Sequence, residues 1–374
     1  MTIISICIAI LYLILILSFC FGFDKVKDFL LSDIKAETKF SIVIPFRNEA
    51  ENLPRLLKSL SALNYPKQLF EIILVDDNSN DDSVNSINIF IKTSALNISV
   101  LKNESITKSP KKDAITTAIQ HAQHEWIITT DADCILPQYW LDSFDTFIQH
   151  KTPVCIVAPV TYFGGNSFLN RFQTLDMYSL QGATIGGFGI HKPFLCNGAN
   201  FGYTKSVFNA IEGFKGNTDI SSGDDVFLLE KIVQKYSKAV HYVKCEKAIV
   251  TTKPQTSWNA LIQQRLRWAA KTSAYNSWFA KLVGVSIFLM NLTFLILPIL
   301  SLSGTFNIKI WVYVLVIKLN VDFLLLYKTS AFFNQRGAFK SFLTSFFVYP
   351  FFSVYVAIAS LFSGYTWKGR SFKR

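Results

Sequence analysis

The chain has 374 residues, half of them hydrophobic, and a formal net charge of +11. A mean hydropathy of +0.30 is too apolar for an ordinary soluble two-domain protein. The basic residues cluster beside apolar segments, at Lys25, Lys27, Lys35, Lys39, Arg265, Arg267, Lys271 and a tail over 366–374 with Lys368, Arg370, Lys373 and Arg374, which implies membrane lipid as a partner and excludes nucleic acid.

Residues 2–23 carry no charge, and at about 1.5 Å per residue they are long enough to cross a ~30 Å hydrocarbon core. With no basic n-region and no small-x-small site before Asp24, the run reads as an N-terminal transmembrane helix rather than a cleaved signal. From Phe40 the pattern becomes that of an α/β domain with a largely parallel sheet, over 38–254. The predicted order is strand 40–45, helix 48–63 with leucines at 53, 56, 57, 60 and 63, strand 71–77, strand 98–102, helix 112–122 and strand 125–133. Strand 154–160, helix 170–185 and helix 222–236 follow, the last opened by acidic residues. Residues 255–280 are amphipathic with Trp258, Trp268 and Trp278, suited to the headgroup region. The region 281–365 holds two or three further membrane segments, at 282–303, 308–327 and 341–363, the middle one burdened by Lys318, Asn320 and Asp322. A cytosolic body followed by three full spans would leave the basic tail outside, so one of the last two segments is expected to be interfacial or re-entrant, with Pro350 as break point.

In an open parallel sheet ligands collect at the carboxyl ends of the strands, which gathers Asp76, Asp77, Asp131 and Asp133 around one crevice. Asp131 and Asp133 alternate across a small residue and offer the hard oxygens a divalent cation prefers; two solvated turn aspartates are the alternative. Asp76 and Asp77 can accept hydrogen bonds from a base or ribose, or end their strand in an Asx turn. Asp224 and Asp225 can supply a general base or simply cap a helix. Arg267 can offset diphosphate charge and Trp268 can wall a sugar or lipid, unless this helix only lies on the membrane. Six scattered cysteines without a CxxC pair argue against disulfides and zinc. His121 and His124 read as surface residues. The glycines of 181–189 lack a following Gly-Lys-Ser/Thr, which excludes a Walker loop and leaves a mobile gating segment open.

Taken in order, these segments resemble the glycosyltransferase family 2 enzymes of GT-A fold. SIVIPFRNEAENLPRLLKSL is similar to the family's opening strand and helix, EIILVDDNSNDDS to its nucleotide-contacting segment and TTDADC to its metal-binding D-x-D. NGANFGYTKSVFNAIEGF is similar to its acceptor-side loop, SGDDVFLL to its base segment and Gln264, Arg267 and Trp268 to its closing Q-x-x-R-W. The resemblance implies an inverting transfer of sugar from a nucleotide-sugar donor to a hydroxyl of a lipid or glycan acceptor. It further implies a multi-pass protein of the cell membrane with a cytoplasmic catalytic domain. Donor contacts would fall to Pro45, Arg47, Glu49, Asp76, Asp77, Lys112 and Asp131, and Mg²⁺ or Mn²⁺ to Asp131 and Asp133. Asp225 would be the base, supported by Asp224; Asn197, Gly198 and Asn200 would shape the acceptor pocket, and Gln264, Arg267 and Trp268 would close it. Two departures stand out: Lys111 and Lys112 replace the commoner Gly-Lys, and Gly-Asp-Asp replaces Glu-Asp. A processive polysaccharide synthase is the nearest rival, and a catalytically silent membrane scaffold the rival of another class.

Overall fold

A computed structural model describes residues 2–372 and divides the chain into two compact units, one of 27–163 with 196–253, the other of 1–26, 164–195 and 254–374. Lys373 and Arg374 of the basic tail lie outside the described residues.

The first unit carries ten strands: β1 (Phe40–Phe46), β2 (Phe70–Asp76), β3 (Ile98–Lys102), β4 (Trp126–Thr129), β5 (Cys134–Ile135), β6 (Cys155–Val157), β7 (Val160–Tyr162), β8 (Phe201–Thr204), β9 (Val240–Tyr242) and β10 (Val250–Thr252). A seven-stranded sheet runs β3-β2-β1-β4-β8-β6-β9, and a second sheet runs β5-β10-β7. β1 to β4 are mutually parallel, whereas β8 is antiparallel to both β4 and β6. Ile42, Val43 and Ile44 of β1 and Ile72 to Val75 of β2 are all buried, as a parallel strand covered on both faces requires. Leu53, Leu56, Leu57 and Leu60 of helix Leu53–Ser61 join Phe40, Ile42, Ile72 and Leu74 in one cluster.

Several element boundaries differ from the sequence reading, for local reasons. The first helix starts at Leu53 rather than 48, with Pro54 in its first turn, where a missing N–H costs nothing. The strand predicted over 125–133 ends at Thr129, because the chain turns at Asp131, whose carbonyl accepts from Cys134 N at 3.1 Å. The strand predicted over 154–160 is two strands in different sheets, separated at Pro159, which cannot donate to a ladder. Helices Ser83–Thr93 and Trp140–Lys151 were not anticipated.

The second unit is helical: Thr2–Lys25, Phe168–Gly189, Trp258–Ala270, Trp278–Leu302, Ile308–Phe332 and Phe342–Phe362, followed by a short antiparallel hairpin of Tyr365–Trp367 and Arg370–Phe372. Among the described residues four helices are long and apolar enough to cross a membrane: Thr2–Lys25, Trp278–Leu302, Ile308–Phe332 and Arg336–Phe362. Pro350 sits inside its helix without ending it, so it is not the expected break point. The charges of the third candidate span face protein. Buried Lys318 pairs with Asp322 one turn on, and Asp322 accepts from Tyr12 Oη at 2.6 Å. These helices enclose a cavity of about 140 Å³, walled mainly by carbon, with Asp176, Lys318 and Asp322 in its lining.

The glycines of 181–189 form no loop. They lie in helix Phe168–Gly189, and a Cβ on Gly186 would stand 2.4 Å from Phe19 O, one on Gly189 1.8 Å from Gly22 O. The two helix backbones thus touch where side chains are absent, the means by which membrane helices approach closely.

Candidate active site

The loops after β1, β2 and β4 meet at the carboxyl end of the sheet. β1 holds Pro45 opposite Val75 of β2, and the chain then turns through Asn48 at φ +50°. Arg47 Nη1 donates to the carbonyl oxygens of Asp77 (2.6 Å) and Asn78 (2.7 Å), bracing the second loop. Asn48 Oδ1 accepts from Asn80 N at 2.9 Å, and Glu49 N donates to Ser83 Oγ at 2.8 Å. The Glu49 carboxylate accepts from Asn52 Nδ2 at 2.6 Å. Asp76 Oδ1 accepts from Ser79 N at 2.9 Å, the Asx turn of the alternative reading, while Asp77 is buried and accepts from Asn103 Nδ2 at 3.0 Å. Asn103, at the end of β3, also donates to Pro110 O and ties the donor-side loop to the helix that follows it. Only its position after a strand could have marked it in the sequence.

That helix, Pro110–His121, separates the two lysines. Lys112 is 1% exposed; its ammonium donates to the carbonyls of Asn217 (2.7 Å) and Ile220 (2.8 Å) and lies over the Phe227 ring. It clamps a loop and has no face to offer a donor. Lys111, one residue earlier on the helix, reaches the carboxylates instead: its Nζ is 2.8 Å from Asp131 Oδ1 and 3.0 Å from Asp224 Oδ2. Burial alone would lower its pKa, but Asp131 and Asp224, with Asp225 beyond, more than reverse this and hold the ammonium well above the usual lysine range. Asp133 lies beside Cys134, whose buried thiol is pushed up by burial first and by the Asp133 and Asp131 carboxylates next.

Asp224 and Asp225 follow Gly223, which takes φ +84°, a conformation that favours glycine. Asp225 caps helix Val226–Tyr236: Oδ1 accepts from Val226 N at 2.7 Å and Oδ2 from Gly198 N at 3.3 Å. Gly198 O in turn accepts from Thr129 Oγ1 at 2.7 Å, fastening the 197–200 segment to the end of β4. A Cβ on Gly198 would stand 3.1 Å from Asp224 Oδ2 and 3.7 Å from Lys111 Nζ. Asn197 Oδ1 accepts from Ala199 N. Asn200 is fully buried, accepting from Trp140 Nε1 (2.9 Å) and donating to Pro159 O and Ala248 O (both 2.8 Å). It is a core residue with no surface to line an acceptor pocket. The structure thus brings Arg47, Asp77, Lys111, Asp131, Gly198, Asp224 and Asp225 into one network of loops, and assigns Lys112 and Asn200 to the interior.

Gln264, Arg267 and Trp268 lie on helix Trp258–Ala270 in the helical unit. The residue between them that sequence reading passed over, Arg265, is buried, pairs with Asp176 through Nε (2.7 Å) and Nη2 (2.6 Å), bonds the Gln264 side chain and stacks its guanidinium 4.1 Å from the Trp268 ring centre. It positions two of the three motif side chains.

Among the described residues no three His, Cys, Asp or Glu side chains converge on a metal position. Asp131 and Asp224 nevertheless share one cation already, the Lys111 ammonium, and a donor set of hard carboxylate oxygens suits Mg²⁺ or Mn²⁺.

Residues 41–211 match the model of Glycosyl transferase family 2. The probable glycosyltransferase YdaM of Bacillus subtilis is 26% identical over 242 residues, 63% of this chain and 56% of that protein. The undecaprenyl-phosphate 4-deoxy-4-formamido-L-arabinose transferase of Sodalis glossinidius is 35% identical over 97 residues, 25% of this chain and 29% of that protein. The chain thus spans about half the Bacillus relative and less of the other. The mannosyltransferase PcManGT from Pyrobaculum calidifontis, solved in complex with GDP-Man and Mn²⁺, shares the fold over 96% of this chain and 99% of its own, with a TM-score of 0.57 and 14% identity.

Proposed function

We propose, for a chain that belongs to glycosyl transferase family 2 through residues 41–211, that it is an inverting, metal-dependent glycosyltransferase moving a sugar from a nucleotide-sugar donor to a hydroxyl of a lipid or glycan acceptor at the cytoplasmic membrane face. The observation that carries this reading is the meeting of Asp131 and Asp224 on one ammonium, beside Asp225 and at the carboxyl ends of parallel strands. Mn²⁺ in PcManGT supports the metal, the undecaprenyl-phosphate relative supports a lipid acceptor, and four apolar helices support the membrane.

Asp77, with the Arg47 brace fixing its loop, meets the base and ribose, and Pro45, Glu49 and Asp76 hold that pocket's walls. Asp131 and Asp133, with Asp224 as a further carboxylate at the position Lys111 takes, would hold Mg²⁺ or Mn²⁺, which when bound would neutralise charge developing on the leaving diphosphate. Lys111 supplies the basic donor contact that Lys112 cannot. Asp225 takes the acceptor proton. Its bonds from Val226 N and Gly198 N set its direction. Gln264 and Trp268, set by Arg265, and Arg267 beside them carry the closing motif on helix Trp258–Ala270.

The test is a donor screen with purified protein and total membrane lipid, read by mass spectrometry. Excess EDTA and Asp131→Ala should each abolish transfer. Asp225→Asn should lower kcat by about 10²–10⁴ with donor affinity nearly unchanged, and an α-linked donor should give a β-glycoside. An α-linked product would refute inversion, undiminished turnover in EDTA would remove the metal, and a long-chain product would make the enzyme a processive synthase.

A further inference from the structure

The Lys111 ammonium occupies the space between Asp131 and Asp224 that a metal would need. Its contact with Asp131, at 2.8 Å, is a charge-assisted hydrogen bond, and its contact with Asp224, at 3.0 Å, is a close ion pair. The Lys111 side chain is 17% exposed and Asp224 11%, so little water screens that pair, while Asp131, at 36%, stands partly in solvent. The site is also fitted closely around the carboxylate: a methyl group on Gly198 would stand 3.1 Å from Asp224 Oδ2 and crowd it.

We infer that Lys111 is a resident counterion, exchanged for the donor's metal. It holds the site together by satisfying Asp131 and Asp224, and it leaves that position only when a divalent cation arrives with a nucleoside diphosphate. This inference rests on the metal-dependent reading above and deepens it. A divalent ion alone must displace an ammonium from two carboxylates and leave it buried without a partner, which is unfavourable. With a diphosphate the exchange closes electrostatically: the metal takes the carboxylates, and the released ammonium pairs with phosphate oxygens. Metal and donor then bind as a unit, and neither carboxylate stays uncompensated before or after. Lys112 cannot serve, because its ammonium is committed to the Asn217 and Ile220 carbonyls.

The experiment measures Mn²⁺ affinity by electron paramagnetic resonance on the purified full chain in detergent, alone and with UDP or GDP. Wild-type protein should bind Mn²⁺ alone weakly and at least tenfold more tightly with the nucleotide it accepts. Lys111→Met should bind Mn²⁺ alone at least tenfold more tightly than wild type and lose most of the coupling to nucleotide, whereas Lys111→Arg, which keeps the charge, should stay weak. Lys111→Met with unchanged affinity for Mn²⁺ alone would overturn the counterion role and leave the metal-dependent reading standing. Wild-type protein that binds Mn²⁺ equally well with and without nucleotide would overturn it without recourse to any variant. Failure of either protein to take up Mn²⁺ with UDP or GDP would overturn both readings together.

Discussion

Gly198 is where the side chains of Asp224, Asp225 and Thr129 converge. Its amide holds Asp225, its carbonyl holds Thr129, and the space above its Cα is filled by the Asp224 carboxylate. The Asp224 and Asp225 carboxylates are short, so added bulk at 198 must displace them. Gly198→Val should lower kcat/KM by about 10²-fold, the usual consequence of a misplacement near 1 Å, while the melting temperature changes little. Wild-type kcat/KM in that variant would show that the carboxylate positions do not matter. Two residues away the outcome is opposite in kind. Asn200→Ala would orphan the Trp140 indole N–H and the Ala248 carbonyl, both buried, at ~1–3 kcal/mol each, whereas Pro159 O keeps its bond from Val250 N. It should cost about 3 kcal/mol or more in denaturant unfolding, and the fraction that folds should retain its kcat. The residue types of Asn-Gly-Ala-Asn were legible in the sequence, but the division of labour within it was not. The decisive facts are contacts to Trp140, Ala248 and Asp225, all remote in the chain. Lys111 and Lys112 make the same point: adjacent lysines on a helix point about 100° apart, and only the packing says which faces the carboxylates.

At the scale of elements, the first four long strands were readable because each is a continuous apolar run ending in turn chemistry, as in FSIVIP and EIILVDD. What escaped was set by breaks and partners. Pro159 divides one apolar run between two sheets, and helix Trp140–Lys151 begins on core residues Trp140, Leu141 and Phe144, without a polar cap to announce it. The glycine-rich stretch 181–189 was open to two readings because glycine suits both a hinge and a close crossing. The crossing is what forms: Gly186 and Gly189 lie against Phe19 and Gly22, with backbone atoms nearer than any Cβ allows. Gly186→Leu should therefore separate helix Phe168–Gly189 from helix Thr2–Lys25. The expected result is a lower yield of monodisperse protein in detergent and a fall of several degrees in melting temperature. Gly164→Ala, where no atom lies within 4 Å of the added carbon, should leave both unchanged, and a Gly186→Leu protein as stable as wild type would show that the crossing is loose.

For the whole molecule, the first helix does more than tether. Besides its glycine crossing, Tyr12 Oη donates to Asp322 in the third candidate span, and Asp24 pairs with Lys328 at 2.7 Å. The second pair is half in solvent and contributes little; the first stabilises a carboxylate among apolar helices, next to Lys318. Deleting residues 1–23 thus removes two things with separable readouts. Membrane attachment should persist, because Trp278–Leu302, Ile308–Phe332 and Arg336–Phe362 each retain the length and composition of a span, so the truncated chain should remain in the pellet after carbonate washing. Stability should fall, because the Lys318–Asp322 pair loses its tyrosine donor and the Phe168–Gly189 glycines lose the backbone they pack on. Tyr12→Phe in the full chain isolates the hydrogen bond, and it should cost about 1–3 kcal/mol if the carboxylate stays charged and buried. Recovery of the truncated protein in the soluble fraction would show that the later helices do not span. Full stability of Tyr12→Phe would instead show that Asp322 is satisfied by Lys318 alone, so that the first helix is held by its glycine crossing.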